Sequence, residues 1–280
     1  MHHRIALAIP LALTVGAHAT AAGQSLETYT ASRTYTGEER LAVEIEYAAG
    51  ELRLGPAPAG TLYRALVEFD ARRMRPVIDY ADRKLRLGLA SESNARGRGP
   101  NRGHMDVTLS PDALLDVSLE FGAVKAEIEL GGLRVERLEI ATGASETAVR
   151  FSEPNQTRAS LVRVGVGAAA LRMSDIGNVN AERLQVDGGV GDVHLDFGGE
   201  WRGNLEAELR MGVGSLTLVL PREVGVRIVR ETFLASFDTQ GLEERSDGYY
   251  SNNWAQAAHQ LTIHVGAAFG VIHVRWAEGA

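Results

Sequence analysis

Five histidines beyond residue 21, His104, His194, His259, His264 and His273, are the side chains best suited by type to metal binding or proton transfer near neutral pH. His194 and His273 fall on equivalent outward positions of an internal repeat, and His264 alternates outward between Ile263 and Val265. Histidines sharing one face can hold a metal. Such sites announce themselves by short spacings such as His-x-x-x-His or by nearby carboxylate motifs, and neither accompanies these residues. Outward polar surface is the simpler reading, so no metal or other cofactor is expected. Serine hydrolysis has no better footing, because Val213-Gly214-Ser215-Leu216 lacks the second glycine of a Gly-x-Ser-x-Gly elbow. The acids Asp187, Asp192, Asp196, Glu206 and Glu208 are so numerous on outward positions that a glycosidase-like pair would arise by chance. The glycines precede no helix and no Gly-Lys-Ser/Thr, which removes a phosphate loop, and Gly188 to Val193 carries valine where the calcium nonapeptide wants aspartate. Asn155-Gln156-Thr157 is a glycosylation sequon with meaning only in a glycosylating host. No catalytic, cofactor-binding or metal residue is predicted, and the chain is read as a non-enzyme.

Composition narrows the class further. The 280 residues contain no cysteine, which removes disulfides, thiol catalysis and iron–sulfur or cysteine-ligated zinc sites. A formal charge of −7 argues against nucleic acid as partner, since phosphate affinity rests on a surplus of Lys and Arg. With 45% hydrophobic and 23% charged residues, the chain has material for a large core.

The elements that would position any site are strands. Gly122, Gly143, Gly165, Gly189 and Gly212 anchor a repeat with spacings of 21, 22, 24 and 23 residues. Three positions earlier stand Leu119, Ile140, Val162, Val186 and Leu209; six later stand Ile128, Val149, Leu171, Leu195 and Leu218. Polarity alternates with period two between these columns, so each repeat reads as two short strands joined at a tight glycine turn. One repeat cannot bury its own apolar face, and consecutive repeats must stack. The predicted fold is all-β: a single-chain β-solenoid with rungs of about 21–24 residues, a β-rich N-terminal module and an aromatic C-terminal cap. Residues 1–21 read as a signal peptide: a basic start at Arg4, an apolar run Ile5 to Val15, and small-x-small cleavage patterns ending at Ala19 and Ala21. Residues 22–37 then form a flexible segment, 38–104 the N-terminal β module, 105–230 the solenoid repeats and 231–280 the C-terminal rungs and cap. The stretch Ser91 to His104, with Arg96, Arg98 and Arg102, reads as a solvated connecting loop. Aromatic residues gather from Phe233 to Trp276, and a solenoid end needs a cover. Tyr249, Tyr250 and Trp254 are the candidate residues for a partner surface at that end, in competition with the cap.

Tyr47-Ala48-Ala49-Gly50-Glu51-Leu52-Arg53-Leu54 with Leu62-Tyr63 resembles the N-terminal module of the bacterial toast-rack family. Met211-Gly212-Val213-Gly214-Ser215-Leu216-Thr217-Leu218, and Gly248-Tyr249-Tyr250 through Val274, are similar to its solenoid, shared with the C-terminal domain of LiaF-like envelope-stress regulators and with adhesin-like proteins. The resemblance covers residues 38 to 276 and rests on structural glycines and aliphatics. It implies an exported binding, scaffold or sensory domain of the cell envelope, periplasmic or extracellular, without catalytic residues. LiaF-like regulators carry several N-terminal spans, whereas this chain has only the signal segment and no later stretch of spanning length. The partners so implied are an envelope protein or a polysaccharide, with self-association as a further option. The rival reading is a polysaccharide-acting β-helix enzyme, a lyase or glycosidase.

Overall fold

The computed structural model describes residues 26–91, 103–237 and 241–277. The expected signal peptide and the arginines Arg96, Arg98 and Arg102 lie outside the described residues. Sixteen strands and one 3₁₀ turn, Ile176–Val179, make up the secondary structure, with no α-helix among the described residues.

Long parallel strands form the body. They are β2 (Arg40–Pro56), β7 (Leu114–Glu129), the pair β8 (Arg134–Thr142) and β9 (Glu146–Arg150), β10 (Leu161–Ser174), β11 (Arg183–Asp196), β12 (Leu205–Leu220), β13 (Gly225–Phe237) and β16 (Gln260–Trp276). Each of these strands, with β8 and β9 acting as one, is a rung that bends near its middle, so that its two halves belong to two limbs enclosing one interior. On the first limb Ile45, Leu119, Ile140, Val164, Val186, Leu209 and Val265 stack in register, all buried. On the second limb Leu54, Ile128, Val149, Met173, Leu195, Leu218 and Val274 do the same. Rungs lie about 4.8 Å apart, so each aliphatic side chain packs on its counterparts above and below, and each one buried contributes roughly 1.5 to 3 kcal/mol. The core runs without a break from Leu41 to Val274, so the N-terminal module and the stack share one interior.

Two features of the corner differ from the sequence expectation. The tight turn between separate strands is a bend within a continuous strand in β7, β10, β11 and β12. In the third repeat the anchor is Gly167, which falls in line with Gly143 and Gly189, while Gly165 stands opposite Asp187. The slip is two residues, and a two-residue slip preserves every inward and outward assignment because strand side chains alternate with period two.

The ends also depart from simple sequential stacking. The first rung is composite: β5 (Lys84–Ser91) pairs with the first half of β2, and β6 (His104–Leu109) with its second half. Beyond them β4 (Met74–Ala81) runs antiparallel to β5, and β3 (Thr61–Asp70) antiparallel to β6. The segment 22–37, expected to be flexible, contributes strand β1, Leu26–Thr34, antiparallel to β3. Its composition hides it: Thr28, Thr30, Ser32 and Thr34 alternate with Glu27, Tyr29, Ala31 and Arg33, and no apolar face is buried, so the backbone ladder carries the strand. At the other end β16, the last strand in the chain, enters between β12 and β13 and is parallel to both. A small antiparallel pair, β14 (Glu243–Arg245) and β15 (Gly248–Tyr250), then covers the first half of β13.

Candidate functional site

The glycine column that allows the bend also exposes what lies beside it. A side chain at Gly189 would meet the Gly167 carbonyl oxygen at 2.5 Å, and one at Gly212 would meet that of Gly189 at 2.4 Å. From Gly122 to Gly212 the column carries no side chain, alanine (Ala48, Ala268) takes its place on the flanking rungs, and the residue that follows is turned outward. In register along this corner stand Ala168, Val190, Val213 and Phe269. Val190 is 56% exposed, Val213 47%, Phe269 54% and nearby Val271 39%, and these are four of the six large apolar residues exposed among the described residues. Single exposed apolar residues are ordinary, but a run of them on adjacent rungs is a patch of the kind that marks an interaction site.

Beside this ridge lies an open cleft of about 820 Å³ formed by β11, β12 and β16, with Glu231 of β13 at its margin. Gly189, Gly212 and Ala268 lie between cleft and ridge, and the polar lining is Arg183, Asp187, Glu206, Glu208, Arg210, Glu231 and His264. Arg210 donates to Glu208 and, at 3.5 Å, to Asp187. Gln185 Nε2 donates to Glu208 at 3.3 Å and its Oε1 accepts from Arg163 at 2.7 Å, while His264 Nε2 lies 3.9 Å from Glu206. Of the outward acids singled out by sequence, the cleft brings together Asp187, Glu206 and Glu208; Asp192 and Asp196 lie on the second half of β11. Glu208 and Asp187 are ion-paired to Arg210, whereas Glu206 faces His264.

The histidines do not converge. His194 and His273 occupy one column with Thr217 between them, and His264 is on the other limb. His104 contacts Asp106 at 2.9 Å near the opposite end of the stack. Among the described residues no three His, Asp or Glu side chains are grouped as metal ligands. Burial, reinforced by Arg172 on the neighbouring rung, pushes the His194 imidazole below its usual range.

Tyr249, Tyr250 and Trp254 lie at the last rung in two separate ring clusters, Tyr250 with Trp254 and Tyr249 with Phe237. The Tyr250 and Trp254 rings meet edge to face at 5.5 Å, and Tyr250 is buried, its hydroxyl donating to Asp247 at 2.9 Å. The Arg245 guanidinium lies 4.6 Å from the Tyr250 ring centre. Tyr249 stacks obliquely on Phe237 at 5.1 Å, with Arg230 over both rings. Tyr249 and Trp254 are half-buried. Sequence reasoning passed over the corner ridge: Val190 and Val213 follow their anchor glycines directly, in phase with the inward residues before the bend and with the outward residues after it, so alternation alone did not mark them as exposed.

A stack of bent parallel rungs with a continuous aliphatic interior defines an all-β solenoid. The chain matches the N-terminal domain of toast_rack over residues 22–172 and again over 161–219, and it belongs to that family. No curated protein matches it. Among solved structures it is similar to a candidate cell adhesion protein from Clostridium sporogenes, 16% identical, with 90% of this chain and 100% of that one covered and a TM-score of 0.46. A candidate adhesin from Bacteroides fragilis is 13% identical, with 90% and 98% covered and a TM-score of 0.41. A candidate lipid binding protein from Parabacteroides distasonis is 9% identical over the same shares, with a TM-score of 0.35. No helix of the described residues is long and apolar enough to cross a membrane.

Proposed function

We propose that this protein is a non-enzymatic, exported binding module of the cell envelope, acting as scaffold, sensory domain or adhesin. The observation that carries this reading is the apolar corner ridge of Val190, Val213 and Phe269, laid on adjacent rungs beside a polar cleft. An apolar line flanked by arginine-held carboxylates is the make-up of a protein interface, with a buried apolar centre and a polar rim. An envelope protein is therefore favoured over a polysaccharide as partner. In this reading Tyr249, Tyr250 and Trp254 close the end of the stack, and the export signal in residues 1–21 delivers the chain to the envelope. The clamping of Asp187 and Glu208 by Arg210 favours binding over a lyase or glycosidase.

The test is the double variant Val213→Ser with Phe269→Ser, offered to the native envelope fraction as an affinity bait beside the parent protein. Both side chains are exposed, so circular dichroism and melting temperature should stay at parent values while capture of the parent's partner is lost. Full capture by the folded double variant would sink the assignment of the ridge. Turnover of an envelope polysaccharide by the purified parent would replace the whole reading with the enzymatic one.

A further inference from the structure

A sheet that ends in an unpaired strand offers its outer row of N–H and C=O groups to another chain, and proteins usually blunt such edges. The two-limbed stack has several ends, and two of them are blunted. Strand β4 carries Pro76, and β14 is only three residues long. Strand β1 is different: nine residues, no proline, and only β3 as a neighbour among the described residues. Every residue from Leu26 to Thr34 is exposed except the half-buried Ala31.

The sequence of this edge is complementary to itself. If a second β1 lies antiparallel to the first with all nine residues overlapping, Thr30 must face Thr30, and the other pairs are fixed. Glu27 then stands opposite Arg33, Thr28 opposite Ser32, Tyr29 opposite Ala31 and Leu26 opposite Thr34. Residues directly opposite in an antiparallel pair point to the same face, so each Glu27 meets an Arg33 of the other copy, twice per pair. The hydroxyl residues meet each other on the opposite face. The register of greatest overlap is thus also the register of opposite charge, and the two charged residues that would repel a wrong partner attract a second copy. Arg33 stacks 4.4 Å over Tyr80 and its Nε lies 3.8 Å from Glu38, so pairing with Glu27 of a second copy exchanges an existing exposed ion pair for one across the edge.

We propose that two copies of this protein pair edge to edge through β1, about a twofold axis at Thr30. The β6–β3–β1 half-sheet then runs on as β1–β3–β6 of the second copy. A twofold contact of this kind is closed, so it yields a dimer and no fibre. The ridge of Val190, Val213 and Phe269 lies on rungs toward the opposite end of each stack, and a dimer so built carries two such surfaces facing away from the joint.

The chain has no cysteine, so a single introduced one reports the register directly. In the antiparallel pair the two Thr30 Cα atoms would be about 4.5 to 5.5 Å apart, within the range a disulfide spans. Under mild oxidation Thr30→Cys should form a disulfide-linked dimer, while Thr28→Cys and Ser32→Cys should each cross-link poorly alone and well when mixed. Sedimentation of cysteine-free protein should show a dimer that Glu27→Arg or Arg33→Glu weakens on the order of tenfold, through two like-charge contacts apiece. An equimolar mixture of those two variants should recover it, since each substituted residue then faces an opposite charge. That recovery separates loss of pairing from loss of fold. A monomer at all accessible concentrations, equal cross-linking at residues 28 and 30, or a dimer indifferent to both charge reversals would overturn the proposal.

Discussion

Gly214→Ala is the sharpest probe of how the corner is built. Gly214 has φ +142°, a region that side chains rarely adopt, and an added Cβ would lie 1.9 Å from the Gly191 carbonyl oxygen and 2.9 Å from its carbon. The same arrangement recurs one rung further on, where a Cβ at Gly270 would be 1.9 Å from the Gly214 oxygen. The offending atoms are backbone, so no rotamer change relieves the clash; β11 and β12 must separate by about 1 Å at the corner or the strand must twist to another φ. The backbone strain costs roughly 1 to 3 kcal/mol, and one or two lost ladder hydrogen bonds cost about 1 kcal/mol each. The expected total is about 2 to 5 kcal/mol, which corresponds to a fall in melting temperature of roughly 3 to 9 °C for a chain of this size. Gly165→Ala is the matched control, because a Cβ there finds only the Ile140 oxygen at 3.9 Å and its φ is not left-handed. It should be neutral or slightly stabilising, by up to about 1 kcal/mol, as alanine reduces the freedom of the unfolded chain. Thermal melts followed by circular dichroism on both variants decide the matter. Equal melting temperatures, or a worse result at Gly165, would refute the assigned stacking of the corner.

Three further outcomes are expected. Asn155→Ala should cost roughly 2 to 4 kcal/mol in a urea melt, because the fully buried Asn155 amide bonds the Val135 N–H and carbonyl and the Val179 carbonyl and so ties successive return loops together. For the same reason the Asn155-Gln156-Thr157 sequon should carry no glycan on folded protein from a glycosylating host, which mass spectrometry of the intact chain can check. His194→Gln should flatten the acid side of the stability profile: with the imidazole pushed down in the folded state, the unfolded chain takes up the proton first, so the native form keeps its full stability above about pH 6.5 and loses it as pH falls toward the lowered value. A melting-temperature drop between about pH 7.5 and pH 5.5 as large in the variant as in the parent would show that another group titrates there.

The repeat was legible because a β-solenoid writes its interior into the chain twice per rung. Inward positions such as Ile140, Val164, Val186 and Leu209 must be apolar in every copy, and period-two alternation separates them from outward residues such as Glu139, Arg163, Gln185 and Glu208. The same periodicity explains the misplaced anchor. Gly165 and Gly167 are both glycines on the same face, and only the spatial neighbours Gly143 and Gly189 decide between them. Strand order at the C-terminal end was illegible for a related reason. Leu261, Ile263 and Val265 fit equally well after β12 or after β13, since both offer matching aliphatic columns, and the chain's choice to return β16 between them depends on the return loop. Asn155, Asn178 and Ser251 were silent in the sequence because a polar residue in a loop ordinarily reads as solvated, whereas these are buried and satisfied by backbone groups of adjacent rungs.

The candidate surface was harder to read than the fold because the solenoid constrains its two faces unequally. An inward residue answers to packing, so its type is dictated by position; an outward residue on a regular limb answers only to solubility, and any polar choice satisfies it. The corner breaks this division. There the strand turns, the alternation resets across residues such as Gly189 and Val190, and a position that the period-two rule leaves undecided becomes fully outward. An apolar residue at such a place lies outside the core and adds exposed apolar area, and Val190, Val213 and Phe269 follow one another there on adjacent rungs, with only cross-strand packing on each other in return. The glycine column is required by backbone contact and would serve equally well beside serine or threonine, which is what β12 carries two residues later at Ser215. The steady in-register spacing of the rungs turns three single residues into one continuous apolar line, and the proposed binding role rests on that line.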